Sequence, residues 1–140
     1  MSEDSTTPDL VELWQQAVEA YERRDFDSLM SFYAPDALWD ASLSGVGRFE
    51  GAAAIRSFLE DWIAAYAEYE ATQQESHDFG NGVVFAVDRV DGRPAGSPGR
   101  VQELWAFTSV WVAGVIVRVG VSTDIDEARA AAERLAEERG

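Results

Sequence analysis

Residues 23–39, RRDFDSLMSFYAPDALW, decide the fold. A helix is predicted to end at Arg24. A second, short helix is predicted over 26–35, stopped by Ala34-Pro35 because the residue before a proline is pushed out of the α region. A strand then begins at Ala37. Upstream, Thr7 and Pro8 read as a helix start: Thr caps the N-terminus, and Pro takes the first helical position, where its missing N–H costs nothing. The helix they open carries Leu10, Leu13, Trp14, Ala17 and Tyr21 at spacings of three and four, an apolar stripe along one face. Residues 1–7 are expected to form a disordered tail and residues 8–140 a single domain.

Downstream, residues 45–51 form a loop with three glycines, and a third helix is predicted over 52–66, with Ile55, Phe58, Leu59, Trp62 and Ile63 on one face. Four strands follow, over 68–77, 83–91, 100–112 and 115–123, joined by turns at Gly80-Asn81-Gly82, over 92–99 and at Ala113-Gly114. Short turns make such neighbours antiparallel. A last helix opens at Asp124, an N-cap with Glu127 three positions on. Its face of Ile125, Ala128, Ala132 and Leu135 can dock. Helices followed by an antiparallel meander give an α+β class. The strand over 100–112 is apolar on both faces: Trp105, Phe107 and Trp111 on one, Leu104, Ala106, Val110 and Val112 on the other. If the helices cover one face, something must cover the second, and a second copy of the chain is the expected candidate.

Composition narrows the function. A length of 140 residues suits one domain and lets it bury about 68–70% of its unfolded surface. The longest apolar run, VWVAGVIV over 110–117, falls far short of the ~20 residues of a membrane span. The opening MSEDSTTPD is polar and acidic, the reverse of a signal peptide, so a cytoplasmic location is expected. Without cysteine, disulfides and thiol nucleophiles are excluded, and a single histidine, His77, cannot build a His-based zinc site. No metal and no cofactor are expected. All eleven basic residues are Arg, which excludes Schiff-base chemistry. The net charge of −15 argues against nucleic acid and against anionic substrates.

With the stretches GRFEGAAAIRSFLEDWIAAY (47–66) and VIVRVGVSTDIDEA (115–128), the opening motif resembles the SnoaL-like branch of the nuclear transport factor 2-like superfamily. The resemblance covers roughly residues 10–135. It implies a cone-shaped curved antiparallel sheet wrapped around three N-terminal helices, here with an extra C-terminal helix, and a homodimer through the outer sheet face. Aligned with the similar ketosteroid isomerases, YAPDALWDAS places the general base on Ala41 and the neighbouring acid on Asp40. The oxyanion-hole groups fall on Ala17 and near Phe107, so only Tyr33 survives from that site. The Asp–Arg–Asp set of the related limonene epoxide hydrolases is not reproduced by Asp88 and Arg89, because consecutive strand residues point to opposite faces.

The candidate catalytic groups are therefore Glu103, His77 and Tyr33. Glu103 shares a strand face with Trp105 and Phe107, where desolvation would raise a carboxyl's pKa; it could equally be solvated at the pocket mouth or paired with Arg89 or Arg118. His77 is the one side chain that titrates near neutrality without help, although its place before a turn also fits a surface role. Asp40 would face away if Trp39 faces the pocket. Trp39, Phe58, Trp62, Trp105 and Phe107 are the candidate substrate-binding residues, for a neutral hydrophobic or polycyclic molecule. Two functions stay open: a cofactor-independent isomerase, cyclase, dehydratase or hydrolase, and a non-catalytic ligand-binding or dimerisation module.

Overall fold

The Asp9 side chain opens the first helix by accepting hydrogen bonds from the Val11 and Glu12 backbone N–H groups, at 3.1 and 3.3 Å. The structure, a computed structural model, describes residues 9–140; Thr7, Pro8 and the expected tail lie outside the described residues. Helix α1 (Leu10–Glu22) buries Trp14, Ala17 and Ala20, in keeping with the stripe read from the sequence. Arg24, at φ +59°, breaks the chain direction, and Asp25 caps α2 (Phe26–Met30) through the Ser28 N–H.

Helix α2 is shorter than the sequence suggested, because β1 (Tyr33–Ala41) starts earlier. Pro35 lies inside this strand instead of ending the helix. Its place has a physical reason. The pairing of β1 with its neighbour slips between Tyr33 and Leu38, so a residue with no N–H removes no ladder bond there. The glycine-rich loop holds a 3₁₀ turn (Ser42–Ser44) and a short strand, β2 (Gly47–Glu50), before α3 (Ala52–Ala64). The meander follows as β3 (Tyr66–Gly80), β4 (Val83–Pro94), β5 (Val101–Val112) and β6 (Val115–Ser122), and α4 (Ile125–Arg139) ends the chain.

The six strands form one open sheet in the order β2-β1-β6-β5-β4-β3. The four meander strands pair antiparallel, as their short turns require. Strands β1 and β6 run parallel, so the sheet is mixed and not wholly antiparallel. Nothing in the turn chemistry could reveal this pair, since most of the chain lies between its members.

Alternation in β4 separates two apolar layers. Val84 and Ala86 join Trp14, Trp39, Ile55, Leu59 and Trp111 in a core beneath the first three helices. Val83, Phe85 and Val87 join Ala106 in a second core under Ala132 and Ala136 of α4. The outer face is therefore covered in its middle by the chain's own last helix, and Ala106 and Val110 of the expected dimer stripe are buried. Leu104 and Val112, toward the two ends of the stripe, stay about half exposed. Helix α4 is held by a bidentate Arg129–Glu75 pair at 2.7 and 2.9 Å, by the Arg129 guanidinium 5.1 Å over the Phe85 ring, and by Arg139 Nε donating to Asn81 O at 2.9 Å. Its N-cap is Asp124, bonded to the Glu127 N–H.

The β3–β4 turn depends on Gly82. It sits at φ +81°, and a Cβ there would collide with the Trp111 backbone carbonyl, while its own carbonyl accepts the Trp111 N–H at 2.8 Å. Gly80 has φ +90° and open space around it. Gly80→Ala should therefore cost about 1–2 kcal/mol, the strain of a left-handed L-residue. Gly82→Ala should cost clearly more, because the backbone must also shift. Denaturant midpoints of the two variants measure the difference; equal losses would contradict this account of the turn.

Candidate functional site

Between the inner sheet face and the helices lies a cavity of about 90 Å³. Its wall is a chain of neighbouring rings: Trp14 to Phe107 at 5.7 Å between centroids, Phe107 to Trp39 at 6.3 Å, Trp39 to Phe58 at 6.0 Å and Phe58 to Trp62 at 5.8 Å. From Trp62 the chain runs to Tyr66, Tyr69 and Tyr21 at 6.5, 5.3 and 5.7 Å. Tyr21 stands two turns along α1 from Trp14, so the rings encircle the space. Sequence spacing explains the arrangement. Trp14, Ala17 and Tyr21 share one face of α1, Phe58 and Trp62 lie four apart on α3, and Trp105 and Phe107 are alternate residues of β5.

The structure brings Tyr33, Trp39, Phe58, Trp62, Trp105 and Phe107 together in this lining. Tyr33 is buried, and burial pushes its phenol pKa up, so it stays neutral at physiological pH. Glu103 is exposed on β5 and does not line the cavity; it stands near the rim, where its charge helps raise the pKa of Tyr66, mainly a consequence of burial. Arg89 and Arg118 pair instead with Asp91 at 3.7 Å and with Asp40 at 3.3 Å. His77 is exposed on β3, bonded to Glu75 at 2.9 Å and stacked on Phe79, on the α4 side of the sheet. Asp40 accepts from the Ser42 backbone and hydroxyl, which with Arg118 hold its pKa below the ordinary value, and it does not line the cavity.

The carboxyl that does line the cavity is Asp88. It is 3% exposed, and its Oδ1 has no hydrogen-bond partner among the described residues. Burial, aided by the charge of Glu22, raises its pKa to about 6. Glu22 is fixed nearby, its Oε2 accepting the Ala71 N–H at 2.9 Å. Burial and the adjacent Asp88 together raise the Tyr69 phenol. Asp88 and Arg89 do lie on opposite faces of β4, as strand alternation requires. Asp88 accordingly shares the inner face with Val84, Ala86 and Val90, opposite Trp105 in the register. A lone acid in the apolar run VVFAVDRV was the sequence signal for this residue.

Among the described residues no group of three or more His, Cys, Asp or Glu side chains stands ready to hold a metal ion, and no helix is long and apolar enough to cross a membrane.

A family model of the SnoaL-like domain matches residues 14–119. No curated protein sequence matches the chain. Among solved structures, the protein TerC, co-crystallised with polyporic acid, superposes with a TM-score of 0.70 at 15% identity, over 88% of this chain and 97% of that one. A provisionally assigned polyketide cyclase from Sinorhizobium meliloti gives 0.66 at 24% identity, over 86% and 100% of the two chains. A protein of ketosteroid isomerase-like fold from Catenulispora acidiphila, in complex with trimethylamine, gives 0.69 at 16%, over 85% and 89%. At these identities the likeness is one of fold.

The environment of Asp88 sets a pH dependence of stability. Its folded pKa of about 6 lies above the ordinary 3.8. The folded state therefore binds the proton more tightly, and this group's contribution is most favourable below about pH 4. It is lost as pH rises through about 6, by on the order of 3 kcal/mol in all. Asp88→Asn removes that loss. The stability of the variant relative to the natural protein should climb between pH 4 and pH 8; a difference independent of pH, read from urea titrations, would place the Asp88 carboxylate in water.

Proposed function

The chain belongs to the SnoaL-like domain family, and from that premise we propose that it binds a neutral, mainly hydrophobic or polycyclic molecule in the aromatic cavity and moves a proton on it through Asp88. The observation that carries this reading is the burial of a single carboxyl among aromatic rings, with its pKa raised to about 6 by desolvation. A group titrating near working pH both gives and takes a proton readily. Isomerisation, cyclisation, dehydration and epoxide opening each need such a group and no cofactor. Trp39, Phe58, Trp62, Trp105 and Phe107 supply flat apolar contact, and Tyr33 a neutral phenol. The lining carries no Arg, and the net charge of −15 repels anions.

A second reading, non-catalytic binding, is favoured by one feature: the lining holds one carboxyl and no histidine, so an acid and base of opposite roles are not paired in it. Asp88→Asn separates the two readings. With an enzyme, turnover of a converted ring compound should fall about 100- to 10,000-fold while its affinity, followed by tryptophan fluorescence, stays within a few-fold. Glu103→Gln, on the exposed part of β5, should leave turnover unchanged. Wild-type turnover in Asp88→Asn would remove Asp88 from the mechanism, whereas ring compounds that bind to the natural protein and are not converted would leave binding as the function. Neutral ring compounds should change the tryptophan emission and nucleoside phosphates should not; the reverse result would overturn the ligand class.

For assembly we infer a twofold homodimer using the parts of the outer face that α4 leaves open, around Leu104 and Val112. Sedimentation at tens of micromolar should give twice the chain mass of 15.4 kDa, and a charge introduced at Leu104 should return it to the monomer. A natural protein already monomeric at that concentration would exclude the pairing.

A further inference from the structure

The inner-face row of β4 ends in a glycine that its backbone does not require. Val84, Ala86, Asp88, Val90 and Gly92 alternate onto that face, and Asp88 and Val90 line the cavity. Gly92 is not among the glycines of positive φ, so the conformation there suits any L-residue. The space does not. A Cβ on Gly92 would come within 2.7 and 2.8 Å of two atoms of the Tyr66 ring, and within 3.2 Å of the Glu68 carbonyl oxygen. The Tyr66 ring therefore takes the place of a side chain at position 92 and closes the row.

An irregularity on the opposite strand serves the same ring. The β3–β4 register slips between Tyr66 and Glu68, and a slip of this kind re-aims a side chain. Tyr66 lines the cavity, yet it stands at the solvent edge: Ala65 and Ala67 beside it are exposed, and exposed Glu103 is near enough to act on its phenol. It meets Trp62 and Tyr69 at 6.5 and 5.3 Å between centroids, tilted or edge-on and not stacked. The corner that carries it is pinned by the Ala95 N–H, which donates to Ala65 O at 2.9 Å. The ring can thus turn about its own side-chain bonds while the backbone stays in place.

We propose that Tyr66 is the gate of the cavity and Gly92 the seat on which it closes: the ring lies on Gly92 in this structure and swings off it to admit a ligand. This rests on the ligand-binding reading above and adds how the site is entered. Glycine weakens a strand interior, and an apolar side chain at position 92 would wall off the end of the cavity permanently. A glycine with a neighbouring ring laid over it closes the same space with a group that moves.

The test is stopped-flow tryptophan fluorescence with 2-naphthol, a neutral ring compound, on the natural protein, Tyr66→Ala, Gly92→Ala and the double variant. Tyr66→Ala takes the gate away, and Gly92→Ala takes away its seat. In each, the association and dissociation rates should both rise about tenfold, within the one to three decades over which on-rates vary among related complexes. The equilibrium affinity should stay within a few-fold. The double variant should be no faster than Tyr66→Ala alone, because both changes act on one ring. A ring that is only wall gives another pattern: Tyr66→Ala then speeds dissociation alone and weakens binding. That pattern, or rates in Gly92→Ala equal to those of the natural protein, or effects that add in the double variant, overturns the gate while the ligand-binding reading stands. A natural protein that does not bind 2-naphthol overturns both.

Discussion

Burial of β4 on both faces is the constraint on which the rest of the structure depends. Val83 through Asp88 are all nearly inaccessible to water, which needs an apolar layer above and below the strand. On one side the layer is α4, with Ala132 and Ala136 over Phe85. On the other it is the core beneath α1, α2 and α3, which is incompletely filled and leaves the cavity. Small residues on α4 let that helix lie close to the sheet, while large rings on the opposite side meet edge-on and tilted and cannot close the gap. The tight layer and the hollow layer are two outcomes of the same alternation.

The polar atoms of the hollow layer stand out against that background. A core built only for stability would fill the space with aliphatic side chains and place no carboxyl there. Here Asp88 occupies an apolar run at a cost in solvation, and its effect reaches its neighbours. The Tyr69 phenol is raised by burial and by Asp88, so the tyrosines around the space remain proton donors. Desolvation in one concave apolar space thus acts on the carboxyl of Asp88 and on the phenols of Tyr21, Tyr33 and Tyr69 alike.

Much of this was legible in the sequence. The helix stripe from Leu10 to Tyr21, the antiparallel meander, the cap at Asp124 and the family were all read from periodicity and motif. So were the rings of Trp39, Phe58, Trp62, Trp105 and Phe107 as neighbours of one space, since alternation and helical spacing fix which side each faces. The parallel β1–β6 pair was hidden, because no local signal joins strands so distant in sequence. Pro35 misled because its effect depends on whether the N–H it lacks had a partner. For the polar residues, parity was not sufficient. Glu103 and Trp105 share a face, yet Glu103 lies one step beyond the cavity's edge, while Asp88 lies one step inside it. Depth along a strand is a tertiary property. His77 was drawn away by Glu75 and Phe79, partners that only the packed sheet reveals.

The edge strand β3 has a consequence of a different kind. Fifteen residues of unpaired edge would ordinarily be a template on which other chains add strands and build insoluble fibrils. Here the pairing of β3 with β4 slips at three places, between Tyr66 and Glu68, Gln73 and Glu75, and Asp78 and Gly80. Each slip bends the strand, so no long straight segment is offered. Exposed Glu68 is taken up by Arg93 and Arg100 at 3.4 and 2.6 Å, and Glu22 already occupies the Ala71 N–H. The irregularities of β3 thus make the longest edge of the open sheet a poor template for strand addition.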